Sequence, residues 1–200
     1  HLMFMGIDDI KDGYNAPLQA SQFEADISII EQLRQLWLVG QGGGNDTESN
    51  DYAWYFAARK TITDSWEKRK EKGFLFTFGD EPAPYETLTA AELKRTFGPG
   101  EYRDMSPAEV LAEAKEKYHV FHVVIEQGNY YSGRPQRVRS SWNELLGPNV
   151  LYLSDFEDLT ELVIATLKIV KGADMDKVLS ESANPKALKH AFINALSEGS

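Results

Sequence analysis

The 200-residue chain contains no cysteine and only four histidines. The first absence excludes disulfides, thiolate nucleophiles and Cys-based zinc or iron–sulfur sites, and four scattered histidines leave little for a zinc centre. A metal in this protein would have to be a hard cation on oxygen ligands. Positive charge is also scarce: 21 Lys and Arg against 31 Asp and Glu give a net charge of −10. Such a surface repels phosphate backbones and anionic lipid, so neither nucleic acid nor a membrane is an expected partner. No apolar run approaches the roughly 18 residues of a membrane span, and the opening Leu2-Met3-Phe4-Met5-Gly6-Ile7 reaches Asp8 before a signal-peptide core could form. The chain therefore reads as soluble and cytoplasmic. What is present, 42% hydrophobic and 26% charged residues, is the composition of one ordinary globular domain with at most a small appendage.

Leu2 to Ile7 suits a short buried strand whose carboxyl end carries Asp8 and Asp9. After a turn over Lys11 to Pro17, apolar residues recur at helical spacing at Phe23, Ile27, Ile30, Leu33 and Trp37, with Ser21 as the N-cap and Gly40 as the stop. Gln41 to Asn50 is a polar, glycine-rich loop. Tyr52, Tyr55, Phe56, Arg59, Ile62 and Trp66 then trace a second helix running to about Lys70, and Trp37, Trp54 and Trp66 read as core. Gly73 to Phe78 is a continuous β-prone run ending at Gly79-Asp80-Glu81-Pro82, the pattern of a parallel strand buried on both faces.

A short helix is expected near Ala90 to Phe97, and Ser106-Pro107-Ala108-Glu109 opens another that ends near Tyr118. Val120 to Ile125 and Asn149 to Leu153 are further strands, with one or two helical turns over Ser140 to Leu146 between them. Leu159 to Val170 and Ala183 to Leu196 complete the pattern as amphipathic helices. Strands alternating with helices predict an α/β fold with a doubly wound, mostly parallel sheet and helices on both faces. Ligands of such sheets bind beyond the carboxyl ends of the strands. Here those ends carry Asp8-Asp9, Asp80-Glu81, Glu126 and Ser154-Asp155, a set suited to a divalent cation.

Gly73-Phe74-Leu75-Phe76-Thr77-Phe78-Gly79-Asp80-Glu81 is similar to the strand that ends in the acidic motif of von Willebrand factor A (VWA) domains, and Gly42-Gly43-Gly44-Asn45-Asp46-Thr47-Glu48-Ser49 lies where that family has its Gly-Gly-Thr loop. More closely, Asn15 to Asp26, Trp54 to Arg59 and Phe121 to Glu126 resemble an uncharacterised bacterial and phage branch of VWA-like proteins. The resemblance covers residues 1–172, leaving 173–200 as a C-terminal helical extension. It implies a Rossmann-like three-layer fold and a metal-ion-dependent adhesion site. In such a site Mg²⁺ keeps several waters and exchanges one for a carboxylate of a partner protein. Carried over residue by residue, Thr47 matches the loop threonine and Asp80 the later aspartate that binds through water, with Ser49 and Glu48 as alternatives to Thr47.

The family's principal ligands, an Asp-x-Ser-x-Ser segment on the first, central strand, occur nowhere in the 200 residues. The expectation is that the native chain is longer at its amino end or that something else fills the gap, since a missing central strand leaves backbone groups unpaired. The resulting reading is non-enzymatic: an intracellular interaction module, adaptor or assembly factor, with MoxR-type AAA+ ATPases as the partner class that the resemblance implies. The alternatives are a Mg²⁺-dependent phosphohydrolase using Asp8, Asp80 and Glu81, and a structural component with a degenerate metal site.

Simpler readings stand beside these. Asp80 can be a turn residue that ends its strand and caps the next segment, and Gly42 to Gly44 lack the ending of a phosphate loop. His119 and His122 read as packed strand residues, and Arg134, Arg137 and Arg139 as loop arginines pairing with local acids.

Overall fold

A computed structural model describes residues 1–10, 17–37 and 46–198. In chain order it contains β1 (Met5–Ile7), β2 (Leu18–Ala20), α1 (Ile29–Leu33), α2 (Asn50–Lys60), α3 (Asp64–Arg69), β3 (Gly73–Gly79), α4 (Ala90–Phe97) and α5 (Pro107–Lys117). There follow β4 (Tyr118–Ile125), α6 (Asn129–Gly133), α7 (Pro135–Leu146), β5 (Val150–Leu153), α8 (Leu159–Val170), α9 (Met175–Ser180), α10 (Pro185–Ala191) and α11 (Ile193–Glu198). The fold is mixed helix and sheet, and no described helix is long and apolar enough to cross a membrane. The chain divides into two compact units, His1–Lys70 with Pro84–Lys117 and Glu71–Ala83 with Tyr118–Ser200.

In the first unit β1 and β2 pair antiparallel, Met5 opposite Ala20 and Ile7 opposite Leu18. Helix α2 packs along α5, and each brings an inward face of small and large apolar residues: Ala53, Trp54 and Ala57 on α2, and Val110, Leu111 and Ala114 on α5. The long helix expected through Lys70 is instead two. Thr61 and Thr63 both adopt extended backbone, because the run Thr61-Ile62-Thr63 is β-branched throughout and helix-averse. Trp66 is half-buried under the Lys70 ammonium, 5.2 Å from its ring, rather than in the core.

Of the helix expected from Ser21 to Gly40, only Ile29–Leu33 is helical among the described residues, and Trp37 lies 74% exposed with Ile27, Ile30 and Leu33 also outward. Ser21 does not cap; its Oγ accepts from the Phe4 N–H at 2.9 Å and so belongs to the β1 side. Glutamine side chains take over the backbone: Gln32 Oε1 accepts from the Gln22 N–H at 2.6 Å, and Gln19 exchanges two hydrogen bonds with the Trp37 backbone at 2.8 and 2.9 Å. Helical spacing marks an apolar face but does not supply a surface to bury it against. The expected turn over residues 11–16, the stop at Gly40 and the glycine loop at 42–44 lie outside the described residues.

The second unit is built on the parallel sheet β3-β4-β5, with Gly73 opposite Tyr118 and His122 opposite Val150. Phe121, Val123, Leu151 and Leu153 form a core with Leu162 of α8, Leu179 of α9 and Leu188 of α10. The alternate residues include His122, whose ring stacks on Trp142 of α7 with centroids 3.4 Å apart and planes within 7°. Residues 173–200 belong to this unit. Helix α7 is longer than expected, so Arg137 and Arg139 are helical rather than loop residues. The helix expected over Ala183 to Leu196 breaks at Phe192, after an N-terminus fixed by Asn184 capping the Ala187 N–H and by Pro185 at the first helical position.

Candidate functional site

Strand β1 delivers two acids to one place. Asp8 continues the ladder through its N–H to Pro17 O at 2.9 Å, and its Oδ1 accepts from the Asp9 N–H at 3.0 Å, which orients the buried Asp9. Opposite, the segment leading into α2 buries two hydroxyls, Thr47 and Ser49. Ser49 occupies the N-cap position of α2 but does not cap it. Its Oγ donates to Asp9 Oδ1 at 3.0 Å and accepts from the Ile10 N–H at 3.1 Å. A residue type normally placed to satisfy a helix terminus is here directed at a carboxylate.

One residue into the helix, Asp51 is buried, and its carboxyl is pushed up to about 7. Loss of water around it is the main cause, reinforced by the neighbouring Asp9 and Glu92 and partly offset by the N–H groups of Asp51 and Tyr52. Glu92 is held in place by the capping box at the start of α4, where its Oε2 accepts from the Thr89 N–H at 3.0 Å and the Thr89 hydroxyl at 2.8 Å. Tyr52 is 2% exposed and its Oη has no hydrogen-bond partner among the described residues. Burial and the carboxylates of Glu92 and Asp51 push its phenol up, well out of the range in which it could ionise.

Asp9, Thr47, Ser49, Asp51, Tyr52 and Glu92 line a cavity of about 20 Å³, room for one water or one small ion. Carboxylates and hydroxyls, the donor types a hard cation takes, share the lining with the apolar side chains of Ile10, Pro84 and Leu88. Among the described residues that line it, none contributes an imidazole or an amine.

Of the residues singled out from the sequence for a metal, Thr47 and Ser49 come together here with Asp9. Asp80 belongs to the second unit, where its Oδ2 accepts from the Tyr130 N–H at 2.8 Å at the start of α6. The approach is so close that a Cβ on Gly128 would lie 2.2 Å from Asp80, so the position demands glycine. Among the described residues no group of three or more His, Cys, Asp or Glu side chains is arranged to hold a metal ion. Mg²⁺, however, is ordinarily held by one or two carboxylates while keeping several waters. The carboxylates of Asp9 and Asp51 and the hydroxyls of Thr47 and Ser49 in the lining are the donor types such an ion takes.

Sequence reasoning missed Asp51, whose signal is an acid in the first turn of a helix that is otherwise buried around it. It also missed Glu126 as a hub. Glu126 Oε1 accepts from Tyr131 Oη at 2.7 Å and Arg139 at 2.6 Å, and Oε2 accepts from Ser154 Oγ at 2.7 Å and lies 2.7 Å from His190 Nε2. Burial alone would raise this carboxyl, but the bonds from Ser154, Tyr131 and His190 outweigh it and hold Glu126 below its usual range. Arg139 also lies 4.0 Å over the Tyr152 ring. The arrangement satisfies every member, as a structural anchor for α10 does.

Compared with known protein families, with curated proteins and with solved structures, the chain matches none.

Proposed function

We propose that this protein is a non-enzymatic interaction module of VWA type on a doubly wound sheet, acting as a cytoplasmic adaptor or assembly factor. In this reading a protein partner presents a carboxylate to Mg²⁺ held in the first unit. The observation that carries it is the convergence of Asp9, Thr47 and Ser49 on one small cavity. Asp9 would supply the carboxylate and Thr47 and Ser49 the hydroxyls, and the bound ion would offer a water position for exchange with the partner's carboxylate. Desolvation of Asp51 supports the reading further, since a cation removes the cost of a second buried carboxylate. A MoxR-type AAA+ ATPase is the partner class that the resemblance suggests.

The test is a thermal melt in Mg²⁺ and in EDTA. Binding to the folded state by mass action at a hundredfold excess over Kd is worth about 2.7 kcal/mol, and each kcal/mol raises Tm by roughly 2–4 °C for a chain of this size. Ser49→Ala and Thr47→Ala should reduce the shift, and Asp80→Asn should be measured beside them. Indifference to chelation would leave a structural component with a degenerate site, and phosphoester turnover would make the protein an enzyme.

A further inference from the structure

Strand β3 is an edge strand built like an interior one. It pairs with β4 on one side, and among the described residues none of its remaining backbone groups makes a backbone hydrogen bond. Edge strands normally carry a charge, a proline or a bulge that discourages further pairing. Gly73-Phe74-Leu75-Phe76-Thr77-Phe78-Gly79 carries none of these. Phe74, Phe76 and Phe78 fall on one face at the two-residue period of a strand. Phe76 stacks on Phe121 at 5.3 Å and on Phe78 at 6.4 Å, yet Phe78 remains 45% exposed.

The sequence of this edge is also self-complementary. About Phe76 it reads as a near palindrome, so an antiparallel pairing of two copies around a two-fold axis sets Gly73 opposite Gly79, Phe74 opposite Phe78, and Leu75 opposite Thr77. The strand ends at Gly79 and, one position beyond, Asp80 turns to its own Tyr130 N–H, so the ladder spans residues 73–79. Beyond the ladder Pro82 withholds a donor. A one-residue slip sets Phe74 against Gly79 and turns the phenylalanine ladder to the opposite face, so the register is determined by the sequence itself.

We propose that the β3 edge is a homodimer interface, in which two copies join through antiparallel β3 strands into one six-stranded sheet. The contact is isologous and closed, so assembly stops at two. Aromatic cross-strand pairs at Phe74–Phe78 supply the attraction and, with the two-residue period of the phenylalanines, select the register.

The chain's lack of cysteine makes the test direct. Light scattering of the unmodified chain over a concentration series should approach twice 22.5 kDa. On oxidation, an equimolar mixture of Phe74→Cys and Phe78→Cys variants should cross-link between unlike copies, while neither variant alone should cross-link. Phe78→Lys changes an already exposed position and should weaken dimerisation by roughly tenfold or more, because it sets a charge into an apolar ladder on both copies. Circular dichroism of each variant verifies that it is folded. A mass of one chain at every concentration, a dimer indifferent to Phe78→Lys, or growth beyond two copies would overturn the proposal.

Discussion

Asp51 keeps its proton to about pH 7 when folded, against 3.8 for an ordinary aspartate. The folded chain therefore binds more protons than the unfolded one between these values. The stabilising contribution is complete below pH 3.8 and is lost as pH rises through 7, by on the order of a few kcal/mol. Asp51→Asn should consequently melt higher than the parent at pH 8, with the advantage fading toward pH 4; a constant offset would show that the carboxyl is not desolvated. His122 acts with the opposite sign. Burial depresses its imidazole from 6.5 to about 3, so stability is lost as pH falls below 6.5. Where the two windows overlap they cancel in part, and Asp51→Asn should uncover an acid-side loss that the parent conceals. At Gly128 the constraint is steric: Gly128→Ala drives a methyl into Asp80 and should cost roughly 1–3 kcal/mol. Shortening the neighbour in Gly128→Ala/Asp80→Gly should recover part of that loss, a coupling read by a double-mutant cycle in urea.

At the scale of elements, the α2–α5 pair separates the two kinds of force. Arg59 grips Glu113 through two hydrogen bonds of 2.6 and 2.7 Å, and about a third of each side chain remains exposed. Such a pair contributes at most about 1 kcal/mol. Leu111 is enclosed in the same unit, and truncating it leaves a cavity. Leu111→Ala should therefore cost about 2–5 kcal/mol, and Arg59→Met within about 1, in denaturant titrations. Elements with a strong local signal were legible. Helix α4 runs from Ala90 to Phe97 as its sequence predicts, and Pro107 opens α5. Strand β2 and helices α6 and α9 were not legible, because three to six residues carry too little periodicity. The helix expected over 21–40 had ample periodicity, yet over the described residues 21–37 only Ile29–Leu33 is helical, and glutamine side chains bond the backbone on either side.

For the whole molecule, a net charge of −10 on each copy opposes association. The proposed dimer should therefore tighten as salt rises from low to physiological strength, since general repulsion is screened while the apolar ladder is not. Sedimentation at two ionic strengths checks this. The sequence by itself located the three strands of the parallel sheet, because β-prone apolar runs bounded by turn residues mark strands, but it placed Leu2 to Ile7 among them, and β1 instead pairs antiparallel with β2 in the other unit. It also determined the chemistry open to the chain, oxygen donors without thiols. Tertiary structure alone decided which oxygens meet. Ser49 reaches Asp9 across 40 positions, and His190 reaches Glu126 across 64. Local pattern records which face of an element is apolar, whereas convergence of polar groups depends on how distant elements pack, and no neighbouring residue encodes it.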